Sequence, residues 1–310
     1  MQVFIAGATG VLGRRLVRRF RVRGDRVVGL VRSPEGAQKV RELGGEPRQA
    51  SLFDAEALAW AADGCDVVIH AASAIPVRTR VRPQDWAMND RIRQEGTRAL
   101  TTCAARIGAR CYVQQSVVWV ISPPDDRFFD EETPPCPDLP SRSALDGELI
   151  AREAGEAHGF ATAVLRCGWF YGADAAHTRQ IGEGLRRRRI PVIGDGQARW
   201  GLLHLDDAAD AFVTAAVAAR SGCWHVVDDE PARVQEVLTY WADRLNAPRP
   251  FHVPVWLARL VAGSHAVTFF TRSTCTSNTR FGRETGWRPR YPTFREGIDQ
   301  IVATWASTAP

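Results

Sequence analysis

Lysine is nearly missing from this chain. Of its 40 basic residues only Lys39 is a lysine, and the other 39 are arginine. Arginine stays charged at any physiological pH, whereas a buried lysine can shed its proton. Lysine bases and Schiff bases are therefore excluded at every position but 39. Tyrosine is scarce too, with four in 310 residues. No run approaches the roughly 18 apolar residues of a membrane helix, so no membrane partner is expected. Seven cysteines stand at 65, 103, 111, 136, 167, 223 and 275, and no two have C-x-x-C spacing. That removes zinc-ribbon and dithiol sites, and no metal is expected. No apolar leader precedes the first predicted strand, and the expected location is cytoplasmic. The net charge of +5 follows from the arginines. Arg186 to Arg189 form a basic run without interleaved aromatics, which reads as a solvated helix end and not as a nucleic-acid surface.

What is present starts at Gln2. Val3 to Ala6 is an apolar run long enough for a buried strand, and Gly7, Gly10 and Gly13 follow before a helical pattern from Val11 to about Arg23. Strand, glycine turn and helix start are the setting of a dinucleotide fingerprint. Glycine permits close backbone approach, and a helix N-terminus offers free N–H groups to a diphosphate. The next strand, Arg26–Val31, ends at Arg32 and Ser33. An acid there would bind the ribose hydroxyls of NAD, whereas Arg32 suits a 2′-phosphate, so NADP is expected.

Further along, a helix is predicted over 56–62, a strand over 66–70 and a long helix over 83–106. A strand lies within 110–120, and the proline- and acid-rich stretch 122–143 reads as a loop. A helix over 145–158, a strand over 162–165 and a turn at Gly194-Asp195-Gly196 come next. Strand 202–205, helix 208–219 and a last sheet strand over 224–227 follow, with helices broken by prolines beyond Asp228. The alternation predicts an α/β fold with a doubly wound parallel sheet of Rossmann type and a smaller, mostly helical C-terminal region. Residues 1–165, completed by about 202–228, are expected to bind the dinucleotide. Residues 166–201 and 229–310 are expected to bind substrate. In such folds the ligand lies at the carboxyl ends of the strands.

Taken together, several segments resemble the extended short-chain dehydrogenase/reductase family of NAD-dependent epimerase/dehydratase type. They are GATGVLG at 7–13, DVVIHAAS at 66–73, EGTRAL at 95–100, YVQQS at 112–116, RCGWFYG at 166–172, GDGQARW at 194–200, HLDDAADA at 204–211 and GWRP at 286–289. The resemblance spans nearly the whole chain. It implies cofactor contacts from Gly7, Thr9, Gly10, Val11, Leu12 and Gly13 in the turn, and from Arg32 and Ser33. Leu52, the small residues Ala71, Ala72 and Ser73, and Gln115, Cys167, Gly168 and Trp169 complete that set. The family's chemistry uses a tyrosine, a lysine four residues later, and a serine. Ser116 matches the serine. With Glu148 aligned to the family's glutamate, Pro140 stands at the tyrosine and Ala144 at the lysine, and no Y-x-x-x-K occurs anywhere. Ser51 stands where an acid often contacts adenine, although Asp54 lies nearby, and Arg93 stands where the family carries asparagine.

The cofactor half is thus intact while the proton machinery is missing. Positioning alone supplies up to roughly 7–11 kcal/mol, against roughly 10²–10⁴-fold from a placed acid. Reduction survives such a loss if the substrate or a water supplies the proton, as a hydroxyl beside a carbonyl does. Ser116 is the remaining candidate for the acid or relay, and Trp119, Trp169, Phe170 and Trp200 are expected at the substrate. Trp256 is a further flat apolar candidate, although its spacing with Leu257, Leu260 and Val261 reads as packing against the sheet. Tyr171 is expected to pack and His204 to be structural. The expected activity is NADPH-dependent reduction of an aromatic, polyketide-like ketone of angucyclinone type, as in atypical reductases of antibiotic pathways. A sugar-nucleotide epimerase or dehydratase, which oxidises an unactivated alcohol and needs a base, is the second reading. A non-catalytic NADP-sensing regulator is the third. Oligomeric state is left open.

Overall fold

The computed structural model describes residues 1–76, 82–121, 123 and 125–308. Ser122 and Pro124, at the start of the expected 122–143 loop, lie outside them. The chain opens β1 (Gln2–Ala6), α1 (Val11–Val22), β2 (Arg26–Val31), α2 (Pro34–Glu42), β3 (Glu46–Gln49), α3 (Ala55–Ala61), β4 (Val67–His70). A 3₁₀ turn at Pro83–Trp86, α4 (Ala87–Arg91), a π turn at Ile92–Gly96 and α5 (Thr97–Arg106) follow, then β5 (Cys111–Val117), α6 (Leu139–His158) and β6 (Ala161–Cys167). Next come β7 (Trp169–Tyr171), α7 (Ala176–Arg186), β8 (Val192–Ile193), β9 (Arg199–Trp200), β10 (Leu202–His204), α8 (Leu205–Ala218) and β11 (Gly222–Val226). The remainder is β12 (Ala232–Arg233), α9 (Val234–Arg244), β13 (His252–Val253), α10 (Val255–Ala262), α11 (Ser264–Thr271), α12 (Thr279–Thr285) and α13 (Phe294–Ser307).

Seven parallel strands form the main sheet in the order β3-β2-β1-β4-β5-β6-β11. Period-two alternation builds both cores. Val3 and Ile5 face α1 and α8 with Leu16, Phe20 and Phe212, while Phe4 and Ala6 face α3 and α5 with Leu58 and Leu100. A third core, with Trp200, Leu202, Trp241, Phe294 and Ile298, holds α9 and α13 against the short strands. The Rossmann-type sheet is therefore as expected. β3 reads EPRQ and carries no apolar pattern because it is the sheet's edge, where proline is tolerated.

Two elements differ from expectation in ways that bear on the site. The long helix expected over 83–106 contains a π turn, and the Thr97 hydroxyl donates to the Arg93 carbonyl within it at 2.6 Å. Gly147 of α6 presses there, and a Cβ on it would come within 2.8 Å of the same oxygen. α6 itself begins at Leu139, not near 145, because Asp138 caps it in a reciprocal box with Ser141. The α10 prediction also fails: Trp256, Leu260 and Val261 are each 65% exposed and do not pack against the sheet.

Candidate functional site: a glycine cradle and an aromatic wall

At Gly7 the backbone turns with φ +90, and a Cβ would lie 2.6 Å from the Ala71–Ala72 backbone. A Cβ on Gly13 would overlap the Gly7 carbonyl. The β1–α1 turn, the end of β4 and the first turn of α1 are therefore in mutual contact, leaving backbone alone to form the surface. Gly10 caps α1 without any side-chain bond, and the first turn carries no acid. Its amides point at the carboxyl end of the sheet, with the partial positive charge of a 12-residue helix behind them. The cradle fits a dinucleotide diphosphate; Thr9 is exposed and Val11 half-buried there, while Leu12 buries its side chain in the core and has only its backbone to offer. Ala71 is buried, Ala72 half-buried and Ser73 exposed along the adjoining strand end.

Arg32 follows β2 directly, is exposed, and makes no ion pair among the described residues. Ser33 has a more local duty than expected: its Oγ accepts from the Gly36 amide at 3.2 Å and caps α2. Leu52 is buried against Gly96. Gln115 is half-buried on β5. Cys167 faces the apolar core, so only its backbone is available to a ligand. Gly168 is a packing position, where a Cβ would meet the Gly201 carbonyl at 2.5 Å.

Ser116 is corrected. Its hydroxyl donates to Glu148 Oε1, and the residue is 2% exposed. Glu148 in turn receives Arg166 Nε at 3.0 Å and Nη2 at 2.7 Å, both side chains being 7% exposed. Residues 114 and 116 point one way along β5 and 115 and 117 the other, so Ser116 turns into this buried pair and away from solvent. Pro140 and Ala144 lie in the opening turns of α6, as the alignment requires, with Ala144 packed on Val118, Val120 and Val227. No lysine or phenol stands there. Arg93 does reach that turn, its Nη1 donating to the Pro140 carbonyl at 2.9 Å. Burial pulls its pKa down to about 10, which leaves it cationic.

Three of the four expected substrate aromatics come together. Trp169 lies with its ring 4.7 Å from Trp200 and 6.5 Å from Trp119. Phe270, from α11, joins them at 5.5 Å from Trp169. No sequence signal near residues 119–200 points to it, since it arrives from a helix some 70 residues downstream. A pocket of about 300 Å³ opens beside this wall, bounded by Ile193, Val234, Val255 and Phe270. Phe170 is corrected: strand alternation turns it against the α1–α8 core, away from its neighbours.

Tyr171 is 4% exposed, with its hydroxyl sealed in without a partner among the described residues. Burial and then the charges of Asp228, Asp207 and Glu296 push its pKa well above 10. It stays protonated at neutral pH, and its buried hydroxyl does not reach the surface of the cleft. His204 is structural: Nδ1 accepts from the Asp206 amide at 3.2 Å, so Nε2 carries the proton and donates to Gln300 Oε1 at 3.2 Å. Burial brings its pKa down to about 4.

Asp228, just past β11, is 1% exposed, and both its oxygens lack a partner among the described residues. Burial, then the charges of Asp229 and Glu230, raise its pKa well above the ordinary carboxylate value. A folded pKa above the unfolded one means stability that is full below about pH 3.9 and lost as pH rises toward the folded value, at about 1.4 kcal/mol per unit. Asp228→Asn, which imitates the protonated form, is expected to melt more than about 2 °C above wild type at pH 8. The gap should narrow toward pH 4; thermal melts at both pH values check it, and a variant that melts lower at pH 8 contradicts it.

Among the described residues no cluster of three or more His, Cys, Asp or Glu side chains can hold a metal, and no helix is long and apolar enough to cross a membrane. The model of the NAD dependent epimerase/dehydratase family matches residues 3–225. A 3-diazoavenalumate denitrifying reductase from Streptomyces sp is 32% identical over 309 residues, covering 96% of this chain and 99% of that protein. A 4-hydroxy-2-methyl-3-oxo-4-farnesyl-3,4-dihydroquinoline-1-oxide ketoreductase from Stigmatella aurantiaca is 31% identical, covering 77% of this chain and 72% of the other. Among solved structures, human epimerase family protein SDR39U1 with NADPH superposes with a TM-score of 0.83 at 19% identity, over 98% of this chain and 99% of that one. UDP-glucose 4-epimerase of Thermotoga maritima reaches 0.82 at 17%, over 99% of each chain. At these identities the structures establish the fold alone.

Proposed function

This chain belongs to the NAD dependent epimerase/dehydratase family and is an oxidoreductase, and from that premise we propose that it is an NADPH-dependent ketoreductase of aromatic, polyketide-like substrates of angucyclinone type. The observation that carries this reading is an intact glycine cradle in a fold whose aromatic wall packs, through Trp119, beside an opening turn of α6 in which Pro140 and Ala144 replace any phenol or lysine. When bound, the nicotinamide supplies a hydride. The chain's own contribution is placement. The α1 amides hold the diphosphate, Arg32 takes the 2′-phosphate, and Trp119 and Trp169, backed by the buried Trp200, lay a flat ring down and exclude water. The proton comes from a hydroxyl beside the substrate carbonyl or from water. Residues 1–165 with 202–228 form the cofactor half, and 166–201 with 229–310 the substrate half. An epimerase or dehydratase fits less well, since oxidising an unactivated alcohol needs a base that the site lacks.

Purified protein should consume NADPH absorbance with a polycyclic ketone bearing an adjacent hydroxyl, and far less with its O-methyl ether. No turnover across a panel of such ketones counts against the proposal. A nucleotide-binding protein that turns over nothing would give that result.

One observation favours a second reading. The relative sharing 32% identity over 96% of this chain is named for removing nitrogen from a diazo compound. Hydride delivered to an aryl diazonium gives Ar–H and N₂, with no oxyanion to protonate, which also suits a cleft without an acid. Nitrogen release with an aryl diazonium and none of the expected alcohol from ketones would select it.

Arg32→Glu tests the cofactor preference. Removing charge-assisted bonds worth about 1.5–3 kcal/mol should raise KM for NADPH about tenfold to a hundredfold and lower that for NADH. Unchanged KM values would place the 2′-phosphate elsewhere.

A further inference from the structure

Arg93 is a buried cation without a carboxylate partner. It is 9% exposed. Nη1 donates to the Pro140 carbonyl at 2.9 Å and lies 3.5 Å from Ser143 Oγ. Nε and Nη2 have no acceptor among the described residues, yet neither is sealed from solvent. The neighbouring carboxylates are engaged elsewhere. Asp90 accepts from the Ser143 hydroxyl at 2.6 Å, and Glu148 is taken by Arg166. Neither lies within ion-pair distance of the guanidinium. Leaving a charge buried and unpaired costs several kcal/mol, so the fold keeps Arg93 at a standing loss unless a ligand brings the counter-charge.

Its place in the fold says where that ligand sits. Arg93 lies in the π turn, an interruption common at functional sites. That segment lies in the connection that leaves the carboxyl end of β4, and the opening of α6 lies in the one that leaves β5. β4 neighbours β1, whose own carboxyl end carries the glycine cradle, and β5 lies on the other side of β4. The N-terminus of the 20-residue α6 adds its positive end to the guanidinium. The diphosphate already has the amides of α1, so the free donors of Arg93 remain for the acceptor molecule.

We propose that Arg93 is the anion-holding residue of the acceptor site, its Nε and Nη2 gripping a carboxylate or phenolate oxygen of the aromatic substrate and so fixing the ring beside Trp119 and Trp169. This rests on the reading of the cleft as an aromatic acceptor site and narrows it: the acceptor is an anion. The planar guanidinium fork matches a carboxylate in two parallel bonds, which an ammonium on a flexible stem does not.

The test is a binding titration that needs no turnover. Full-length protein saturated with NADP⁺ is titrated with 2-naphthoate and with 2-naphthamide, followed by tryptophan fluorescence. Wild type should bind the carboxylate at least about tenfold more tightly than the amide. Arg93→Met should abolish that preference, and Arg93→Lys should keep part of it, with NADP⁺ affinity unchanged in both. Equal binding of the two compounds by wild type overturns the proposal. So does a preference that survives in Arg93→Met, or a parallel loss of NADP⁺ affinity, which would put the guanidinium on the cofactor. If Arg93→Met does not fold, the wild-type preference and Arg93→Lys decide. Ketones that go unreduced while the naphthoate preference stands would defeat the proposed activity and leave this assignment intact; the reverse pattern would do the opposite.

Discussion

Alanine at position 13 is expected to weaken NADPH binding by about tenfold to a hundredfold. The added methyl would fall on the Gly7 carbonyl and within 2.8 Å of Ala8 Cα, all backbone atoms with no flexible end to swing away. Gly7 has no room to retreat, because its other side rests on the Ala71–Ala72 peptide. Relief has to come from moving α1 off the turn, and that movement opens the cradle itself. Overpacking of this kind costs about 1–3 kcal/mol, and each 1.4 kcal/mol is tenfold in affinity. Gly24→Ala is the control. Gly24 also has a positive φ, +84, but a Cβ there meets nothing within 4 Å. It should lose a little stability and no NADPH affinity. Fluorescence titration with a thermal melt separates the two effects. Wild-type affinity in Gly13→Ala would mean that the turn is not the diphosphate site.

The second large effect concerns the Ser116–Glu148–Arg166 group. Arg166→Met leaves the Glu148 carboxylate buried with only the Ser116 hydroxyl against it, and is expected to destabilise the fold by about 3–5 kcal/mol. Replacing both charges, Glu148→Leu with Arg166→Met, should recover much of that, because the desolvation of two ions is then avoided. Ser116→Ala loses one hydrogen bond to a carboxylate and should cost about 1.5–3 kcal/mol while leaving kcat unchanged. Denaturant unfolding of the three variants, with turnover of Ser116→Ala, checks the set. A fall of about 10²–10⁴ in kcat for Ser116→Ala would make this serine the proton donor after all.

The contrast between Gly13 and Ser116 shows what the sequence could and could not convey. The cradle was legible because its requirement is local. A strand, a turn with no room for Cβ and a helix start all fall within twelve residues, and each leaves its mark on residue type. The role of Ser116 was not legible, because which way a strand residue points depends on register, and its partners Glu148 and Arg166 come from α6 and β6. The same register placed Trp169 on the aromatic wall and turned Phe170 to the core. Phe270 came from a distant helix, which no spacing rule reaches. Arg93 was visible only as an unusual residue at its position. That it is buried, unpaired and aimed at α6 required the π turn, and a helical pattern read at 3.6 residues per turn does not reveal one. The early start of α6 was hidden for a similar reason, since Leu139-Pro140-Ser141 reads as loop until Asp138 and Ser141 are seen to cap it.

The central claim is that the chain places a hydride donor against an aromatic acceptor and leaves the proton to the substrate or to water. The most direct measurement is reduction of a hydroxyl-bearing polycyclic ketone with NADPH deuterated at both C4 positions, run on wild type and on Ser116→Ala. The account predicts one deuterium on the carbinol carbon at equal rates in both proteins, and loss of the reaction when the neighbouring hydroxyl is methylated. A product without deuterium, or a rate that collapses in Ser116→Ala while NADPH still binds, would contradict it.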